Sequence, residues 1–169
     1  MIENRDRILT HDEVIRHYLE DEMSSFRFPE KLHDFVDNMD KSTRVVLLRA
    51  LSKWRKNNMD EKILPHKSWR MIVSEADRII VGRINDDVNP LLERNGFSLE
   101  KIILDKDIGM HREFESQGDI SLRTLLGRME AGKARIIDGN HRAIRMGLDG
   151  TKEFEIIIPI NDSQDLNDS

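Results

Sequence analysis

The chain has 169 residues, of which 35% are charged and 38% apolar, with a formal net charge of −5 and no cysteine. That length suits one domain, or one small domain with a helical extension, and leaves enough apolar residues for a core. Disulfides and thiolate metal sites are excluded, and the acidic balance argues against broad attraction to nucleic acid or acidic membrane, while leaving room for a local basic patch. No apolar run approaches a membrane span, and the opening MIENRDRILTHDE lacks a signal peptide's apolar segment, so a cytoplasmic location is expected.

Residues 1 to 96 read as a helical N-terminal region without strand-like alternation. Thr10 with Glu13 three residues on forms a capping box, opening a helix from about His11 to Met23 with Val14, Ile15, Tyr18 and Leu19 on its apolar side. Phe26-Arg27-Phe28-Pro29 breaks it, and Pro29 suits the first position of a short helix through Met39. Ser42 or Thr43 begins the next, which runs through Val45, Val46, Leu47, Leu48, Leu51 and Trp54 and is apolar enough to be mostly packed. A loop is expected over residues 57 to 65. From Ser68 to about Asp86, Ile, Val and Ala recur at helical spacing; Asn89-Pro90 then opens a last short helix closed by Gly96.

Between Lys41 and Lys56 there are six basic residues and no acidic ones. A helix-turn-helix over residues 29 to 57 would set Arg44, Arg49 and Lys53 against DNA phosphates. A solvated basic face, or a lid or partner-docking role, is the more economical account of the same residues. His66 beside Pro65, and the pair His11 and His17, have no spacing partner that suggests a metal.

Further on, Asp105, Asp107, His111, Glu113 and Glu115 crowd together. Asp105 and Asp107 are candidate Mg²⁺ ligands, since that ion takes one or two carboxylates together with ligand phosphates. Glu113 is the candidate general base for an attacking hydroxyl. The plain alternative is a polar, solvent-facing loop.

Residues 135 to 147, RIIDGNHRAIRMG, combine a short buried strand (Ile136, Ile137), a tight turn at Asp138-Gly139 and a helix opening near Asn140. Ala143, Ile144 and Met146 give the helix an apolar side, and Gly147 suits its stop. Such a turn leaves backbone N–H groups aimed at one spot at the positive end of the helix dipole, a ready anion site. His141, Arg142 and Arg145 lie there, and an arginine fork matches phosphate oxygens two at a time. Alternatively, Asp138 and Asn140 simply cap the helix and the arginines face water.

Asp138-Gly139-Asn140-His141-Arg142, with a strand before it and Gly150 to Pro159 (GTKEFEIIIP) after it, resembles the ParB/sulfiredoxin superfamily, whose members carry a D-G-x-H-R or G-x-x-R motif at a strand-to-helix turn. Upstream, Lys101 to Ile108 looks like the family's first strand, Met110-His111-Arg112-Glu113-Phe114 like the short segment beside the ligand pocket, and Ser121 to Ala131 like the helix before the central strands. Many relatives carry another strand between that helix and the motif; only Gly132 to Arg135 stands here, which implies either a trimmed sheet or a different alignment of residues 110 to 131. Asn140 occupies the position of the sulfiredoxin cysteine, so the resemblance does not imply sulfiredoxin activity. Partition-type ParB proteins continue into a helical DNA-binding domain, an arrangement not expected about ten residues past the last strand.

The expected fold is α+β: a helical region over residues 1–96, a ParB/sulfiredoxin-like domain with a small mixed sheet and flanking helices over 97–160, and a disordered acidic tail over 161–169. The resemblance implies a nucleotide-binding protein that hydrolyses ATP or CTP or transfers a phosphoryl group to a small acceptor, hence a hydrolase or small-molecule kinase. ATP, ADP or CTP would be the ligand and Mg²⁺ the cofactor. Gly139, Asn140, His141, Arg142 and Arg145 would hold the phosphates, and Asp138 or Glu113 would orient the nucleophile. The competing expectation is a non-catalytic DNA-associated adaptor or a ParB-like nuclease.

Overall fold

The computed structural model describes residues 7–23, 29–111, 114 and 125–160, apart from the side chains of residues 23 and 29–33. The expected tail over 161–169 and the break at 26–28 lie outside the described residues. Helices and strands mix throughout, and the strands β1 (Ile8–Thr10), β2 (Ser68–Glu75), β3 (Ile79–Ile80), β4 (Leu125–Glu130), β5 (Lys133–Asp138) and β6 (Glu153–Pro159) form a six-stranded mixed sheet in the order β1-β2-β6-β4-β5-β3. The described residues divide into two compact units, one built on Met71–Ile158 and the other on Ile8–Arg70. The boundary expected at 96/97 falls inside the first.

In the unit built from Ile8–Arg70, helix α1 (His11–Met23) starts where its capping box requires. The Glu13 amide donates to Thr10 Oγ1 at 3.2 Å, and the Thr10 amide donates back to Glu13 Oε2 at 3.3 Å. Val14, Ile15, Tyr18 and Leu19 are buried, as the helical period predicts. Helix α2 (Pro29–Asn38) begins at its proline. Helix α3 (Lys41–Arg55) begins one or two residues before the expected Ser42 or Thr43, because Asp40 is the cap: its Oδ1 accepts from the Thr43 amide at 2.7 Å and from Ser42 Oγ at 3.0 Å.

Helix α3 does not bury most of its apolar residues. A helix packed on one side hides one i, i+4 row, and here that row is Arg44, Leu48 and Ser52; Val46 and Trp54 remain 64% and 65% exposed. The expected loop over 57 to 65 contains a short helix, α4 (Met59–Ile63), anchored by buried Met59 and Ile63 and by the Asp60 amide donating to Ser52 Oγ at 3.0 Å.

Three segments take the opposite secondary structure from the one expected. Residues 68–75 are strand β2, not helix, and pair antiparallel with β1 through Leu9↔Trp69, with Trp69 fully buried. Residues 101–104 of the strand expected over Lys101 to Ile108 lie in helix α6 (Leu99–Leu104): Ser98 caps it, and Leu99 and Ile102 turn into the core at helical spacing. Residues 125–130 of the expected helix Ser121 to Ala131 are β4, which forms a hairpin with β5 around Ala131 (φ 52°) and Gly132 (φ 78°), both left-handed as a two-residue type I′ turn requires. The strand before β5 thus occupies part of the segment expected as helix. In each case a short segment of mixed apolar and polar residues carries no decisive period, and packing or pairing with distant parts of the chain settles the outcome.

In the unit of Met71–Ile158, β6 runs parallel to β4 and β3 parallel to β5. Helices α5 (Asn89–Arg94), α6 and α7 (Asn140–Leu148) contribute Leu91, Leu92, Leu99, Ile102, Ala143 and Ile144 to a core shared with Ile136, Phe154, Ile156 and Ile158 of the strands. Among the described residues no helix is long and apolar enough to cross a membrane.

Candidate functional site

Strand β5 delivers the chain to Gly139, which turns at φ 95° and ψ 23° into α7. The Ala143 amide donates to the Gly139 carbonyl at 2.8 Å and closes the first helical turn. The cap position is Gly139, which has no side chain to offer, so the helix does not open on Asn140 as its capping residue. Asn140 instead faces away from this role. Its Oδ1 accepts the Gly82 amide at 2.7 Å, fastening the segment after β3 to the start of α7. Its Oδ1 is thereby engaged in structure, which leaves the Nδ2 amide and the backbone N–H as donors.

Arg142 and Arg145 are buried, at 7% and 8% exposure, rather than facing water. Arg142 folds back over the turn: its Nη2 and Nε stand 2.7 Å and 3.2 Å from where a Cβ on residue 139 would lie, with Leu125 Cδ2 at 2.8 Å. Glycine is thus needed at 139 both for its left-handed backbone and for space. Asp138 Oδ2 lies 3.8 Å from Arg142 Nη2, an i, i+4 ion pair that holds the guanidinium at this corner. His141 stacks on Phe114 at 4.9 Å between ring centroids, and Phe114 meets His111 edge-on at 6.5 Å. These ring contacts set His111 and Phe114 beside the start of α7. Glu113, Arg112 and Glu115 lie outside the described residues.

Gly147 does not end the helix. It lies within α7, where a Cβ would overlap Ile103 Cδ1 of α6, and the left-handed residue after the helix is Gly150 (φ 95°). Its function is close helix–helix approach.

Asp105 and Asp107 converge on Arg94 rather than presenting an open pair of carboxylates. Arg94 Nε and Nη2 donate to the two oxygens of Asp105 at 2.9 and 2.7 Å, Nη2 also reaches Asp107 Oδ2 at 2.8 Å, and Asn95 Nδ2 donates to Asp105 at 2.8 Å. The negative charge that Mg²⁺ would need is thus matched by a guanidinium, and among the described residues no group of three or more His, Asp or Glu side chains is placed to hold a metal. Hydrogen bonds from Arg94, then Asn95 and the Asp107 amide, hold the Asp105 carboxyl well below the usual carboxylate range. Since this value is depressed relative to the unfolded chain, the stabilisation is complete above about pH 4 and is lost as pH falls through the folded value. Arg94→Gln should therefore flatten the fall of stability below about pH 4 in an acid titration followed by circular dichroism. An unchanged slope would contradict this role for the fork.

Of the three cations expected at DNA, Arg44 is unavailable. It is 8% exposed, and its Nε, Nη1 and Nη2 donate to the Val36 carbonyl (3.1 Å), Asp12 Oδ2 (2.6 Å) and the Asp37 carbonyl (3.3 Å). Arg49 and Lys53 are exposed. Sequence reasoning did not find the Gly82–Asn140 tether or the Arg94 fork; the only hint of the first was an isolated glycine after an Ile-Ile-Val run, a common mark of close backbone approach.

Comparison of the chain with protein-family models, with curated proteins and with solved structures finds no match.

Proposed function

We propose that the Gly139 turn binds the phosphates of a nucleotide, and that the protein is a ParB/sulfiredoxin-like hydrolase or small-molecule kinase. The observation that carries this reading is the start of α7, a nine-residue helix that opens at a left-handed glycine, with the Arg142 guanidinium folded over the same turn. Helix-start amides and a nearby guanidinium are the two groups that recognise phosphate oxygens. The amides of 140 to 142 cradle the anion, Arg142 and Arg145 supply positive charge, and His141, fixed by its stacking on Phe114, donates a further hydrogen bond. Asp138 steers Arg142, and either Asp138 or Glu113 orients the nucleophile. Mg²⁺ would enter with the nucleotide and offset its phosphate charge, since Asp105 and Asp107 already serve Arg94. The DNA adaptor or nuclease reading keeps only Arg49 and Lys53 of its three cations.

Calorimetry with ATP, ADP and CTP, with and without Mg²⁺, tests the proposal. Wild type should bind at least one of them, and Arg142→Gln should weaken that binding by about 1.5–3 kcal/mol, the range for a charge-assisted hydrogen bond. No binding by a folded wild type, or equal binding by both proteins, would sink it.

A further inference from the structure

Helix α3 buries its Arg44–Leu48–Ser52 row and turns the opposite side to solvent. On that side Val46, Ala50 and Trp54 follow at i, i+4 and i+8, all exposed. A solvent-facing row on a helix is ordinarily polar, so an apolar one about 12 Å long indicates a surface meant to be covered. Ala50, small and central, lets another backbone come close. One flank carries Arg49, Lys53 and Lys56, all exposed and, among the described residues, in no ion pair. The neighbouring cations are spent locally: Arg44 on Asp12, and Arg55 on Glu22 at 3.3 Å and over the Trp54 ring at 4.9 Å. A hollow lies along the same helix, lined by Asp40, Lys41, Ser42, Val45, Val46 and Arg49.

We propose that this face docks an acidic amphipathic helix of a partner protein. Apolar side chains of the partner cover the Val46–Ala50–Trp54 row, and its carboxylates meet Arg49, Lys53 and Lys56. The straight i, i+4 row matches the ridge of a second helix. Charge complementarity selects the sign: no carboxylate occurs between Lys41 and Lys56, and a second copy of α3 would set like charges together. A duplex is disfavoured because the centre of the row offers no hydrogen-bonding side chain to read base edges. This docking face is independent of the nucleotide site, and either can fail without the other.

The test uses the full chain and three probes of comparable charge magnitude. These are a synthetic amphipathic peptide of about five turns with a leucine stripe flanked by glutamates, the same peptide with lysine flanks, and a DNA duplex. Binding is read from the anisotropy of labelled probes and from the shift of the exposed Trp54 emission. The glutamate-flanked peptide should bind saturably and at least tenfold more tightly than the lysine-flanked one. Trp54→Ser, and Arg49→Glu with Lys53→Glu, should each weaken it at least tenfold, with circular dichroism and melting temperature unchanged because these side chains are exposed. Equal binding of both peptides, no binding of either, indifference to the substitutions, or preferential binding of the duplex would each overturn the proposal, the last in favour of a nucleic-acid surface.

Discussion

Replacing Arg44 with methionine should destabilise the protein by about 3–5 kcal/mol, whereas Arg49→Met on the same helix should change stability by no more than about 0.5 kcal/mol. The contrast follows from burial. Arg44 is 8% exposed and satisfies Asp12 and two α2 carbonyls, so methionine fills the space of its stem but strands an acid and two acceptors. The Asp12 side chain keeps 32% exposure, which places the cost toward the lower end. Asp12→Asn combined with Arg44→Met should recover part of the loss, because the stranded charge is removed. Urea unfolding of the variants measures all three. Equal effects at 44 and 49 would mean that Arg44 is a surface cation after all and would restore it to the DNA reading.

Gly139→Ala should cost at least about 2 kcal/mol, from two separable sources. An alanine at φ 95° is strained by about 1–3 kcal/mol, and its Cβ would overlap Arg142 Nη2 and Leu125 Cδ2, an overpacking cost of similar size. Arg142→Ala relieves the first of those overlaps, so the double variant should be less destabilised than the sum of the two single ones. Gly139→Asn tolerates the left-handed backbone better but keeps the overlap, and should fall between wild type and Gly139→Ala. If both substitutions at 139 leave stability and nucleotide binding unchanged, the turn is looser than described and Arg142 is not held over it.

Where an element begins was legible in the sequence when the signal was chemical and local. Thr10 with Glu13, Pro29, Asn89-Pro90 and the β5–Gly139–α7 turn all act through one residue's own backbone preference or a hydrogen bond spanning three positions. At the candidate site the turn at Gly139 was legible in the same way, whereas the folding of Arg142 back over that turn is read from the structure.

Roles that depend on distant partners were not legible. Asn140 reads as a cap or ligand until Gly82, 58 positions away, takes its oxygen. Arg44 reads as a surface cation until Asp12, 32 positions away, claims it. Asp105 and Asp107 read as metal ligands until Arg94 enters between them.

The amino-acid sequence by itself determined the caps, the proline starts, the left-handed glycine turn and the apolar side of α1, because each is a property of a few neighbouring residues. Only the tertiary structure decided that residues 68–75 and 125–130 are strands, that 99–104 is a helix, and that Val46 and Trp54 stay at the surface. Short segments of mixed apolar and polar residues satisfy either backbone geometry about equally, and the balance is tipped by hydrogen bonds and buried area supplied from elsewhere in the chain.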